Sequence, residues 1–223
     1  MKWVSSDARG VRHRVRRHPE RGHYDVDSID AILDEALVCH LGVVIRGEPW
    51  VLPTIHARVG DQVYVHGAVA AASLKAMASP AVCCLTVTLV DGLVLARSAF
   101  NHSLNYRSVV VRGFGTLVSD PVEKLMALKA LVEHVAPGRW EDARPPSPLE
   151  LRATQMVRLP LAGATAKIRT GPVKDDVEDL GWPHWAGVLP LQVTAGAVEP
   201  DSQMANPTAP TPEYLANYAR ARR

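Results

Sequence analysis

A chain of 223 residues, 47% hydrophobic and 22% charged, is long enough to bury one sizeable core, which excludes a small disulfide-stapled module. The net charge of +2 conceals a split: residues 1–23 carry seven Lys/Arg against Asp7 and Glu20, a balance of +5, and residues 24–223 carry eighteen against twenty-one acids, a balance of −3. A faintly acidic body whose aromatics are 5 Trp, 5 Tyr and 2 Phe is not built to wrap nucleic acid.

The organisation that follows is a basic N-terminal arm (1–23), one body (24–198) and a flexible tail (199–223) with four prolines from Pro200 to Pro212. The longest apolar stretch, 81–96, is shorter than a membrane-spanning helix and is broken by Asp91-Gly92. No hydrophobic run follows the basic start, so a cytoplasmic protein away from membranes is expected. Cys39 and the adjacent Cys83-Cys84 lack CxxC spacing and read as inert thiols. Neighbours on a strand face opposite ways, so one of the pair belongs in the core.

After the arm, Asp27-Ser28 offers a helix cap, and Ile29, Ile32, Leu33, Ala36 and Leu37 fall at helical spacing. From Cys39 the period changes to that of strands. Arg46-Gly47-Glu48-Pro49 and Gly60-Asp61 are turn chemistry between them, which predicts two successive hairpins ending at Tyr64-Val65-His66. Residues 70–78 have helix-forming composition and stop at Ser79-Pro80. Two strands, 81–90 and 93–98, are then predicted to flank a turn at Asp91-Gly92, with a third running from Tyr106 to Val118. Asp120-Pro121-Val122-Glu123 opens a helix whose apolar face runs through Leu125, Leu128, Val132 and Val135. Ser147-Pro148-Leu149-Glu150 repeats the device, and late strands follow at 156–161 and 187–193. Hairpin-linked strands with helices between groups indicate an α+β class, mainly antiparallel β. No GxGxxG, P-loop, HExxH or GxSxG is present.

Three clusters carry chemistry. The first is His66-Gly67 at a strand end, followed by Ser73 and Lys75, a hydroxyl and an ammonium that suit a phosphate. The second is the polar run Asn101 to Ser108, where Arg107 offers a planar fork of donors beside the Ser108 hydroxyl. The third, Pro137-Gly138-Arg139-Trp140 with Arg144, reads as a helix-ending turn whose tryptophan packs back on the body.

With RVRRHPERGHYD, SIDAILDEA, CHLGVV, GEPWVLPT, YVHGA, DGLVLARSAFNHSLNYRSVVVRG, EKLMALKALVEHVAPGRW, LELRAT, AKIRTGP and WAGVLPL in this order, the chain resembles the pyridoxamine 5′-phosphate oxidase-like, FMN-binding split-barrel superfamily, in its nitroimidazole-resistance branch. The resemblance covers roughly residues 12–192 and is most specific at DGLVLARSAF and NYRSVVVRG. It implies a homodimer of six-stranded antiparallel split β-barrels with FMN between subunits. Leu52, Pro53 and Thr54 would run along the flavin ring, with His66 and Gly67 beside it. Ser73, Lys75, Arg107 and Ser108 would lie near the phosphate, and Trp185 would close the site.

Ser73-Leu74-Lys75 stands where the superfamily usually has Ser-Arg-Lys, so one phosphate-directed arginine is missing. The characteristic arginine- and histidine-containing motif of true pyridoxamine phosphate oxidase is absent near Trp185. The expected activity is therefore an FMN-dependent oxidoreductase acting on a small molecule, with a reduced nicotinamide or deazaflavin donor and His66 as the proton-handling residue. A rival reading is a non-catalytic flavin- or haem-binding module, with His40, His56 and His102 as candidate haem ligands. Nucleic-acid binding through RVRRHPER is the third, and a solvated or subunit-wrapping arm is preferred to it.

Overall fold

The computed structural model of the protein describes residues 14–206 and 208–218, so most of the predicted arm lies outside the described residues. In chain order the elements are β1 (Gly22–His23), α1 (Val26–Glu35), β2 (Val38–Ile45), β3 (Glu48–Val59), β4 (Gln62–Ala68), α2 (Ala72–Met77) and β5 (Cys83–Leu95). There follow β6 (Ser103–Gly113), β7 (Thr116–Leu117), α3 (Pro121–Val135), α4 (Pro148–Ala153), β8 (Thr154–Pro160), β9 (Thr165–Arg169), β10 (Gly187–Pro190) and α5 (Glu213–Ala216). The strands form one sheet in the order β1-β9-β6-β5-β2-β3-β4-β8-β7, with β10 on β5. Every pairing is antiparallel, so the α+β, mainly-β reading holds. The strands number ten, against the six expected.

Local chemistry explains most boundaries. Arg46 and Gly47, with φ of 54° and 85°, form the two-residue turn between β2 and β3, because positive φ at both positions matches the twist of the strands. Helix α1 is capped by Asp25, two residues before the expected Asp27, and its carboxylate accepts from Ser28 N at 2.8 Å. On α3, Asp120 caps Val122 N and Glu123 N, but Glu123 does not close a capping box; its carboxylate accepts from Tyr64 (3.0 Å) and Arg158 (2.6 Å). The buried face of α3 is Ala127 and Leu131, while Leu125 and Val135 of the predicted stripe are exposed. The predicted cap on α4 is complete, with Ser147 and Glu150 bonded reciprocally.

The predicted turn at Asp91-Gly92 is a β-bulge. Strand β5 runs unbroken past it, pairing Val90 with Tyr106 and Gly92 with Asn105 and leaving Asp91 as the extra residue. The reason is distant in sequence: β10 lies along Gly92–Leu95 and gives the second half of the strand its own partner. A Cβ at Gly92 would come 3.0 Å from the Leu189 carbonyl oxygen.

Ile29, Ile32 and Leu33 of α1 pack against Leu85, Val111 and Leu159 in the main core. Each such side chain contributes roughly 1.5–3 kcal/mol when taken out of water. The sheet curves enough that a Cβ at Gly113 on β6 would meet Leu159 on β8 at 3.3 Å. A second core under α3 joins Tyr64, Ala127, Leu131 and Met156. Cys83 is buried and Cys84 half-buried, as the alternation predicts, and all three thiols are free. The far end of the predicted loose tail is tied down: Tyr214 OH donates to Asp142 and Tyr218 OH to the Val135 carbonyl. Among the described residues no helix is long and apolar enough to cross a membrane.

The outward side of the sheet is apolar where β2 and β3 pair. Val38 faces Ile55, Gly42 faces Val51 and Val44 faces Pro49, and Val51 is 68% exposed.

Candidate functional site

The sheet forks between β3 and β4. Their ladder holds from Val59↔Gln62 to His56↔Val65 and stops there. Beyond that point β3 stays with β2 as far as Ile45↔Glu48, while His66, Gly67 and Ala68 stay with β8. Continuing the register would set Ile55 against His66, Thr54 against Gly67 and Pro53 against Ala68. Instead the edge of β3 turned away from β2 has no ladder partner over residues 48–55, and Pro53 has no N–H to leave unpaired. Leu52, Pro53 and Thr54 thus form one lip of the fork, and His66 and Gly67 the other.

On the second lip, His66 Nδ1 is buried and without a hydrogen-bond partner. Burial pushes the imidazole pKa below its usual value, which favours a neutral ring. Gly67 is small for the sake of α2 rather than for a ligand: a Cβ there would lie 3.0 Å from Leu74 Cδ1. That contact seats α2 directly beyond the fork, carrying Ser73 and the exposed Lys75. Neither side chain makes a hydrogen bond or ion pair to a described residue, so both remain available to an anion.

Three predicted site residues lie apart from this group. Strand β6 is separated from β3 by β5 and β2, which is about 14 Å at ~4.8 Å per strand spacing. Arg107 and Ser108 are adjacent on β6 and face opposite ways, so one phosphate cannot engage both. Arg107 is moreover saturated. It donates to both oxygens of Asp91 (2.9 and 2.8 Å) and both of Glu35 (2.5 and 2.8 Å), which hold its guanidinium pKa above the usual value. The phosphate role expected for Arg107 is withdrawn on that geometry. Ser108 Oγ donates to the Lys167 carbonyl at 3.2 Å. Trp185 is 69% exposed and packs on Gly187, where a Cβ would be 2.8 Å from its ring, at the start of β10.

The histidines divide by partner. His56 Nε2 donates to the Leu33 carbonyl at 3.0 Å and its ring packs on His134, which reaches the Ala36 carbonyl at 2.8 Å. Both are structural. His40 is exposed on β2 between Pro53 and Thr86, and His102 Nδ1 donates to the Ser98 carbonyl at 2.9 Å. Among the described residues no cluster of His, Cys, Asp or Glu is arranged to hold a bare metal ion.

Sequence reasoning overlooked Glu35, which it gave no role, and Asp91, which it read as a turn. It also passed over Arg169, buried on β9. The alternation Lys167-Ile168-Arg169 was the available signal for two cations on one strand face.

The sequence pattern of the pyridoxamine 5′-phosphate oxidase family matches residues 25–168, which include the fork, α2 and Arg107. No curated protein matches. Among solved structures, the flavocytochrome Anf3 from Azotobacter vinelandii is 41% identical, with 92% of this chain and 95% of that chain covered and a TM-score of 0.87. A FAD and haem binding protein from Mycobacterium smegmatis is 31% identical over 88% of this chain and 96% of that one, with a TM-score of 0.83. A 5-nitroimidazole antibiotic resistance protein from Bacteroides thetaiotaomicron shares the fold at 23% identity, covering 66% and 86%, with a TM-score of 0.55. The chain belongs to the pyridoxamine 5′-phosphate oxidase family, within the flavin-binding split-barrel group.

Proposed function

We propose that the protein is a flavin-nucleotide-dependent oxidoreductase that holds FMN at the fork between β3 and β4 in a homodimer. The observation that carries this is the unpaired backbone edge of residues 48–55 facing the unpartnered His66 Nδ1. Flavin rings carry alternating donor and acceptor atoms along one edge, which an open strand edge can match while apolar side chains cover the faces. Ser73 and Lys75 would take the phosphate, each charge-assisted bond contributing about 1.5–3 kcal/mol. A bound flavin supplies two-electron redox chemistry. His66, neutral at pH 7, would hold or pass a proton to a small-molecule substrate, with a reduced nicotinamide or deazaflavin as donor.

A second subunit on the apolar outward face would complete the groove, and Ser108 and the exposed Trp185 are residues it brings. The three free thiols fit a reducing, cytoplasmic setting.

A second reading, a flavin and haem carrier, is favoured by the two solved structures above 30% identity, whose descriptions name a flavocytochrome and a FAD and haem binding protein. His102 would hold the haem iron in that reading, since a ring whose Nδ1 donates to a carbonyl keeps Nε2 as the ligating nitrogen. The visible spectrum of the purified protein, with mass identification of whatever denaturation releases, tests both. Flavin bands with released FMN support the first reading, and released FAD with a Soret band supports the second. A colourless protein that takes up no added flavin contradicts both.

A further inference from the structure

Arg169 is 6% exposed, yet no carboxylate pairs with it among the described residues. Its guanidinium donates only to neutral oxygens, Asn105 Oδ1 and the Pro172 carbonyl (3.4 Å). A buried cation without a counter-charge is costly, and burial together with Arg21 depresses its pKa while Tyr106 opposes the shift. The surroundings add charge of the same sign. Lys167, two residues earlier on the same face of β9, has no side-chain partner among the described residues. Tyr106 and Ser108 stand directly across on β6, paired with Arg169 and Lys167 respectively; the Tyr106 phenol joins the two cations on one face, while the Ser108 hydroxyl is spent on the Lys167 carbonyl.

The basic segment also arrives here. Gly22 pairs with Lys167, and a Cβ on Gly22 would come 3.1 Å from Val15, so the chain bearing Arg14, Arg16 and Arg17 crosses over this face. Val15 N–H donates to Tyr24 OH at 2.8 Å and pins that crossing. The nearby acids are engaged elsewhere: Glu20 lies on His18 and Arg21, and Asp175 on Arg97.

We propose that Lys167, Arg169 and Tyr106, beneath the basic segment, form a second anion site that takes a phosphate group of a nucleotide. Four strands separate β9 from β4 in the sheet order, so within one subunit this site is distinct from the phosphate donors Ser73 and Lys75 on α2. The phosphate has two possible sources, the flavin nucleotide itself or a second nucleotide that acts as redox partner. The chemistry required is the same: two cations and a phenol donor around an oxyanion.

Calorimetric titration of the full chain with inorganic pyrophosphate, at constant ionic strength, tests this. The wild type is expected to bind, and Lys167→Gln and Arg169→Gln to weaken binding at least tenfold each. Thermal unfolding without pyrophosphate checks both variants, and half-buried Lys167 keeps the test usable where Arg169→Gln fails to fold. Displacement of pyrophosphate by FMN but not by riboflavin assigns the site to the flavin phosphate. Displacement by NADPH assigns it to a second nucleotide, and either result supports the site. No pyrophosphate binding by the wild type, or equal affinity in Lys167→Gln, overturns it. The probe contains no flavin, so this outcome is independent of whether the fork binds FMN.

Discussion

His66 is the one residue whose chemistry and position both single it out at the fork. Its folded pKa lies below the ordinary value of 6.5, so the unfolded chain takes up a proton more readily than the folded one. Stability is therefore complete above that ordinary value and is lost as pH falls through it towards the lower folded pKa. Urea unfolding below pH 6.5 should show wild type losing stability more steeply than His66→Gln. Identical pH dependence of the two proteins would contradict a buried, neutral imidazole. His66-Gly67 was singled out in the sequence as a strand end running into a loop, whereas Leu52, Pro53 and Thr54 were named only through the family resemblance. What the string conceals is the parting of the strands between them, since local propensity is the same whether a ladder continues or stops. Gly67 was legible as special for the wrong reason, because Leu74 on α2, not a ligand, occupies the space beside it.

Helix α1 is clamped to β5 and β6 through Arg107, which bridges Glu35 at the helix end and Asp91 at the bulge. This explains why β5 carries a bulge: the extra residue sets a carboxylate where Arg107 meets it. Glu35 lies 72 residues from Arg107 in sequence, so nothing local distinguished a structural arginine from a phosphate donor. Arg107→Ala should lower stability by roughly 3–5 kcal/mol at most, less where solvent reaches the rim, because it leaves two facing carboxylates uncompensated. Urea unfolding measures this, and Glu35→Gln in the same chain should restore part of the loss. Flavin binding per folded molecule should survive the change. Loss of flavin without loss of stability would return Arg107 to the phosphate. The same long-range logic governs β9, which was unread because its partner is β6, far earlier in the chain, while β10 was read within 187–193 but without its partner β5.

The sheet buries one side against α1, and its other side is covered by α3 near β4 and β8 but open across β2 and β3, where Val38, Val44, Val51 and Ile55 are exposed together. A contiguous exposed apolar face of this kind marks an interface. The outward face grades from these residues to Lys167 and Arg169 at its other side, so the excess of cations in residues 1–23 continues a basic margin already present on β9. The part of that asymmetry within the described residues is legible as placement: Arg14, Arg16 and Arg17 run over strand cations that lack acidic partners among the described residues. Light scattering after size exclusion should report a dimer for wild type and a monomer for Val44→Glu with Val51→Glu. A dimer that persists in this double variant would place the interface elsewhere.

The central claim is that a flavin nucleotide lies in the fork with its phosphate on α2. Fluorescence titration of flavin-stripped protein with FMN and with riboflavin tests it most directly, in wild type and in Ser73→Ala with Lys75→Ala. Wild type should prefer FMN by at least tenfold, and the double variant should lose most of that preference while binding riboflavin as before. An undiminished preference for FMN in the double variant would contradict the account.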